Sequence, residues 1–151
     1  MRQGIQTGFK NDELRRFGCY FFTLCRMAEL IKLEHDETAQ EFSDDDIIFF
    51  YQHCKRKDWI RTGWLEGIGN VTAYILHPVA IINYLQGHII FREQSHEVNQ
   101  PNAKYYPVFF SGTPTHFALG SGGKIIWDSW MPSAESRGLN KAIKNPYRWL
   151  R

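Results

Sequence analysis

A chain of 151 residues with 43% apolar side chains is long enough to form one domain around its own core, without disulfide staples. A net charge of +2, thinly spread, argues against a nucleic-acid surface; the one basic cluster, Lys55-Arg56-Lys57, reads as a solvated helix end. Three cysteines, odd in number and without paired spacing, argue against a disulfide framework.

The N-terminal residues Met1 to Gly8 lack the apolar stretch of a secretory signal. Arg15-Arg16-Phe17 precedes an apolar run, but Arg26 and Glu29 interrupt it well short of the ~20 residues a membrane span needs. The expectation is a soluble, cytoplasmic protein with no membrane span and no nucleic-acid partner.

The first helix is expected from about Cys19 to Leu33, with Phe21, Leu24, Ala28 and Ile31 as its buried stripe. Ser43 is a good N-cap for a second helix, with Asp46 completing a capping box and Asp44 and Asp45 at the positive end of the dipole. That helix should run to about Trp59. Gly63, Gly67 and Gly69 then break regularity, with Trp64 and Ile68 as expected plugs into the core, before a short extended segment from Val71 to Leu76. Pro78 opens a short helix that Gly87 closes.

From His88 onward, β-branched and aromatic runs alternate with turn residues: 88–91, 105–110, 115–119 and 124–127. Helices followed by strands predict an α+β fold, an antiparallel sheet packed on the first helix. The tail from Pro132 to Arg151 reads as mostly irregular, with Tyr147, Trp149 and Leu150 docking it. The high aromatic content, 15%, predicts a core built on rings.

Chemistry enters through spacing. If Ser121-Gly122-Gly123 is a three-residue hairpin loop, Gly120 faces Lys124, Ala118 faces Ile126 and His116 faces Asp128. Opposed residues share one sheet face with Cβ atoms about 4.5–5.5 Å apart, close enough for a carboxylate to fix an imidazole tautomer. A two-residue loop would instead set His116 against Ser129. Phe117, Leu119, Ile125 and Trp127 would form the buried face, leaving His116 and Asp128 on a cleft against the first helix.

Among the cysteines, Cys19 alone opens a helix, where unpaired N–H groups and the dipole favour a thiolate. Gly18 before it permits close backbone approach and unusual dihedrals. Cys25, six residues on, points roughly 240° away and reads as a buried inert thiol. His53-Cys54 is a poor metal pair, and no metal or cofactor is expected. His35, His53, His77, His88 and His96 read as structural or surface residues, Trp127 and Trp130 as packing or groove walls, and Asn140 as a reserve orienting residue.

In Gly18-Cys19-Tyr20, in His116-Phe117-Ala118-Leu119 and in the apolar strand ending at Asp128, the chain resembles the papain-like cysteine hydrolases. It is most similar to the double-glycine leader peptidase branch and to small bacterial and phage-borne proteins with the same Gly-Cys-Tyr start. The resemblance implies a single papain-like domain over 1–151 with a helical insert around 43–86, a nucleophile at Cys19, a base at His116 and an orienting acid at Asp128. It implies a peptidase or amidase acting through a thioester on a peptide or peptidoglycan-type substrate. Such enzymes place a Gln about six residues before the Cys for the oxyanion hole, where this chain has Glu13; Gln6, Asn11 and Trp127 are the remaining oxyanion or cleft candidates. Two other readings stay open: an inactive papain-like module acting by binding, as a host-interaction or anti-defence protein, and an acyl- or peptidyltransferase.

Overall fold

The computed structural model describes residues 1–87, 104–111 and 115–138 in full and the backbone of 94–95, 144–146 and 148–149. The order is α1 (Asp12–Phe17), α2 (Cys19–His35), α3 (Asp44–Arg56), β1 (Ile60–Leu65), β2 (Gly69–Ile75), α4 (Pro78–Gln86), β3 (Gln94–Ser95), β4 (Tyr106–Phe110), β5 (His116–Ser121), β6 (Lys124–Trp127), β7 (Lys144–Pro146) and β8 (Arg148–Trp149). The fold is α+β, with an antiparallel four-stranded sheet in the order β6-β5-β4-β7 and two-stranded sheets β1-β2 and β3-β8. Among the described residues, no helix is long and apolar enough to cross a membrane.

α2 packs against β4, β5 and α4 and is the axle of the core. The expected stripe of Phe21, Leu24, Ala28 and Ile31 is buried, and so are Phe22, Cys25 and Met27, so the helix is enclosed on most sides. Rings fill the interior: Phe9 meets Phe22 edge-on at 5.0 Å, and Phe21 lies 5.6 Å from Tyr51. Each such side chain contributes about 1.5–3 kcal/mol by leaving water.

Helix ends follow local chemistry. Ser43 and Asp46 form a reciprocal capping box, satisfying two otherwise orphaned N–H groups at the start of α3. α3 ends at Arg56, earlier than expected, because Asp58 turns into positive φ (61°) and the chain enters β1. α4 begins at Pro78 and stops at Gly87, which takes the left-handed conformation.

Two expectations are corrected. Trp64 and Ile68 do not plug the core: residues 60–75 form a hairpin whose tip leaves them 70% and 56% exposed. The segment read as a helical insert is therefore α3, a β-hairpin and α4. The tail read as mostly irregular also carries two short strands, β7, which pairs with β4, and β8, which pairs with β3. The strand expected over 88–91, the roles of His88, His96 and Asn140, and the docking of Tyr147, Trp149 and Leu150 lie outside the described residues and side chains.

Candidate active site

The β5–β6 connection is a two-residue turn, with Gly122 and Gly123 both at positive φ (60° and 79°), as the favoured hairpin geometry requires. The three-residue loop is thus corrected: Ser121 pairs with Lys124 and Gly120 with Ile125. By itself this register would send His116 and Asp128 to opposite faces. A bulge intervenes. Leu119 pairs with Trp127, leaving Ile126 as the extra residue, which shifts Asp128 back to the face of Ala118 and His116.

The outcome is direct contact: His116 Nε2 lies 2.7 Å from Asp128 Oδ1. The pair stands diagonally, not opposed, within reach of an imidazole. The burial of the faces is corrected in part. Leu119 and Trp127 are buried as expected, but Phe117 and Ile125 on the same face are only half-buried, while His116 and Ala118 on the other are fully buried, with Phe110 and Val108 across from them.

Asp128 accepts from His116 and from the Trp130 N–H (2.8 Å) on Oδ1, and from the Ala134 N–H (2.8 Å) on Oδ2. The two backbone N–H donors and the absence of any acceptor among the described residues suit a carboxylate, which sets the ring tautomer. Nε2 of His116 then carries the ring proton and Nδ1 the lone pair. Nδ1 is buried without a hydrogen-bond partner among the described residues. Trp130 stacks on the imidazole at 3.5 Å, and the Arg137 guanidinium lies 4.6 Å over the other partner in that stack, Trp130 itself. The indole shields the His116–Asp128 bond from water.

Cys19 opens α2 directly after α1 ends. Gly18 is needed there for approach, not for its dihedrals: its φ is an ordinary −89°, but a Cβ would come within 2.5 Å of the Leu14 carbonyl oxygen. Tyr20 stacks on Phe117 at 3.9 Å and so pins the helix start to β5 beside His116. The half-buried Cys19 thiol is pushed up to about 11, chiefly by removal from water and also by the charge of Asp128. The N–H groups of Phe117, Tyr20 and Cys19 act in the opposite direction. The start of α2, β5 and the end of β6 therefore place thiol, imidazole and carboxylate in one region.

The secondary candidates serve the scaffold. Buried Gln6 donates from Nε2 to the Arg15 carbonyl (3.1 Å) and accepts from Ser129 Oγ (2.7 Å). Asn11 caps α1 through Leu14 N–H (3.0 Å). Trp127 donates Nε1–H to the Met1 carbonyl at 3.3 Å. Glu13 accepts from Tyr51 Oη and pairs with Lys55 (3.2 Å), and these partners hold its carboxyl below the usual range. Cys25 and Cys54 are buried, and burial raises both thiols, Cys54 to about 12.

Trp130, read as packing or a groove wall, also bonds Asp128 through its N–H, as an Asp readily does with the residue two on. Gln3, whose Oε1 accepts the Asp128 N–H at 2.8 Å, escapes the sequence reading. A groove of about 350 Å³ runs beside this point, lined by Gln3, Ile126, Trp127, Trp130, Met131 and Glu135 among others. No protein-family model matches the chain, and neither a curated protein nor a solved structure matches it.

Proposed function

We propose that the chain is a papain-like cysteine hydrolase, a peptidase or amidase in which Cys19 attacks, His116 carries the proton and Asp128 orients the imidazole. The observation that supports this best is the half-satisfied imidazole. One nitrogen of His116 is bonded to a carboxylate and the other, its lone pair available, is buried with no partner among the described residues. Leaving such a group unpaired costs about 1–3 kcal/mol, and a proton-accepting role accounts for it. The backbone of its neighbour Phe117 and the charge of Asp128 both act on the Cys19 thiol, which supports reading the three side chains as one set.

In the reaction, Nδ1 takes the S–H proton and the thiolate adds to the amide carbonyl carbon. The imidazolium returns the proton to the departing amine as the C–N bond breaks, leaving a thioester on Cys19. Water, deprotonated by His116, then hydrolyses the thioester and regenerates the thiol. The Cys19 N–H at the start of α2 is the available oxyanion donor. With Glu13 engaged by Tyr51 and Lys55, the side-chain donor of related enzymes is missing, a loss of ~10²–10³ in rate. The three unpaired thiols suit a reducing compartment such as the cytoplasm.

A second reading, the same scaffold acting by binding alone, draws support from the raised Cys19 thiol and from Glu13. The pH dependence of iodoacetamide labelling separates the two. In the hydrolase, proton transfer to His116 places an imidazolium between the thiolate and Asp128, so Cys19 labels with an inflection below about 8.5. His116→Ala removes that acceptor, and the inflection moves up towards about 11, where burial and Asp128 hold the thiol. A wild-type inflection near that upper value, unchanged in His116→Ala, would leave binding as the function.

A further inference from the structure

The side chain of Gln3 meets the chain where β6 parts from β5. Its Oε1 accepts the Asp128 N–H at 2.8 Å, and its Nε2 donates to the Ile126 carbonyl at 3.4 Å. A residue of a parallel strand does the same with its own N–H and C=O: it engages the carbonyl before and the amide after a single residue, here Trp127. The backbone extends the pattern, with Gly4 N–H donating to the Asp128 carbonyl at 3.0 Å and Gln6 N–H to the Ser129 carbonyl at 2.9 Å. Residues 3–6 thus take over as partner of this segment once the regular β5–β6 pairing ends at Leu119 and Trp127.

That takeover falls at a sensitive point. The Ile126 bulge decides which face Asp128 occupies, and a slip of one residue would turn the carboxylate away from His116. Gly4 and Gln6 bind carbonyls of 128 and 129, whereas Gln3 binds the Asp128 N–H and the carbonyl of the bulged residue.

We propose that Gln3 is a positioning residue: its carboxamide locks the backbone across the Ile126 bulge and so holds Asp128 against His116, keeping the proton on Nε2 and the lone pair on Nδ1. The role rests on reading Cys19, His116 and Asp128 as a catalytic set. Gln3 is exposed, so its substitution opens no cavity.

The test reads the imidazole, not only the fold. Nitrogen NMR of the full chain reports which ring nitrogen of His116 is protonated. Wild type should show protonated Nε2 and bare Nδ1. Gln3→Met, of similar length but without the amide, should give a mixture of tautomers and lose about half or more of the hydrogen-bonded Nε2–H signal while remaining folded. Gln3→Glu keeps the acceptor for Asp128 N–H and should restore the wild-type tautomer. If Gln3→Met leaves the His116 signals as in wild type while Asp128→Asn changes them, the positioning role is overturned. The outcome is independent of Cys19 labelling: a failed hydrolase reading shows in the labelling profile, a failed Gln3 role in the tautomer.

Discussion

Asp128 and Glu29 are both carboxylates withdrawn from water, one beside the start of α2 and the other midway along it, and they are satisfied by opposite means. Glu29 is answered by charge: its Oε1 accepts from the Met1 ammonium at 2.8 Å and from Arg26 at 3.2 Å, with Phe42 N–H at 2.7 Å on Oε2. Asp128 is answered by two backbone N–H groups and an imidazole ring. The Glu29 arrangement balances a buried charge with two cations and a backbone N–H. At Asp128 the polarity is passed on through the imidazole to Nδ1, which has no hydrogen-bond partner among the described residues. The first pattern suits a fixed joint between α2 and the segment before α3; the second suits a site where a proton must move.

The sharpest way to break this contrast is Asp128→Asn. The amide is the same size but offers one oxygen where three N–H groups converge, so its NH2 group must face a donor or induce His116 to accept. The ring then moves its proton to Nδ1, the wrong nitrogen for taking one from Cys19. Hydrolysis should fall by about 10⁴-fold with a much smaller loss of folding stability, about 1–3 kcal/mol. Activity on a peptide amide and urea unfolding measure the two effects separately. A loss of both in proportion would mean that Asp128 is a joint like Glu29.

Glu29→Ala should show the reverse. It strands the Met1 ammonium and part of Arg26 beside the core, a change of about 3–5 kcal/mol in unfolding free energy. The fraction that stays folded should keep its Cys19 labelling profile. A shifted profile would show that the two ends of α2 are coupled.

Much of this scaffold is legible from short-range chemistry. Ser43 with Asp46, Pro78 with Gly87 and the apolar spacing of α2 each act within a few residues, and the structure follows them. α1 carried equally local marks, an Asn11 cap with acids in its first turn and arginines in its last, but at six residues it is too short for periodicity to reveal it. The His116–Asp128 contact was reached through a register that does not occur, because a two-residue turn and a one-residue bulge together restore the parity of a three-residue loop. No pattern in residues 121–127 announces that bulge. Gln3 was illegible for a different reason: its partners lie at 126 and 128, and no alternation or cap spans that separation. Glu13 stood out by position in the chain, yet its partners on α3 show it to be a tie between α1 and α3.

The β1–β2 hairpin sharpens the comparison from the other side, because it has almost nothing withdrawn from water at its tip. Apolar identity suggested that Trp64 and Ile68 enter the core, but glycines at 63, 67 and 69, all at positive φ, turn the tip outward. Trp64 lies near Gly69, 4.0 Å from where a Cβ would sit, and otherwise faces solvent at 70% exposure. Trp64→Ser therefore removes little buried area and strands no polar group. The unfolding free energy should change by no more than about 0.5 kcal/mol, and Cys19 labelling should not change at all. A loss of several kcal/mol in urea titration would mean that the indole is covered in solution, and that the exposed tip is an interface.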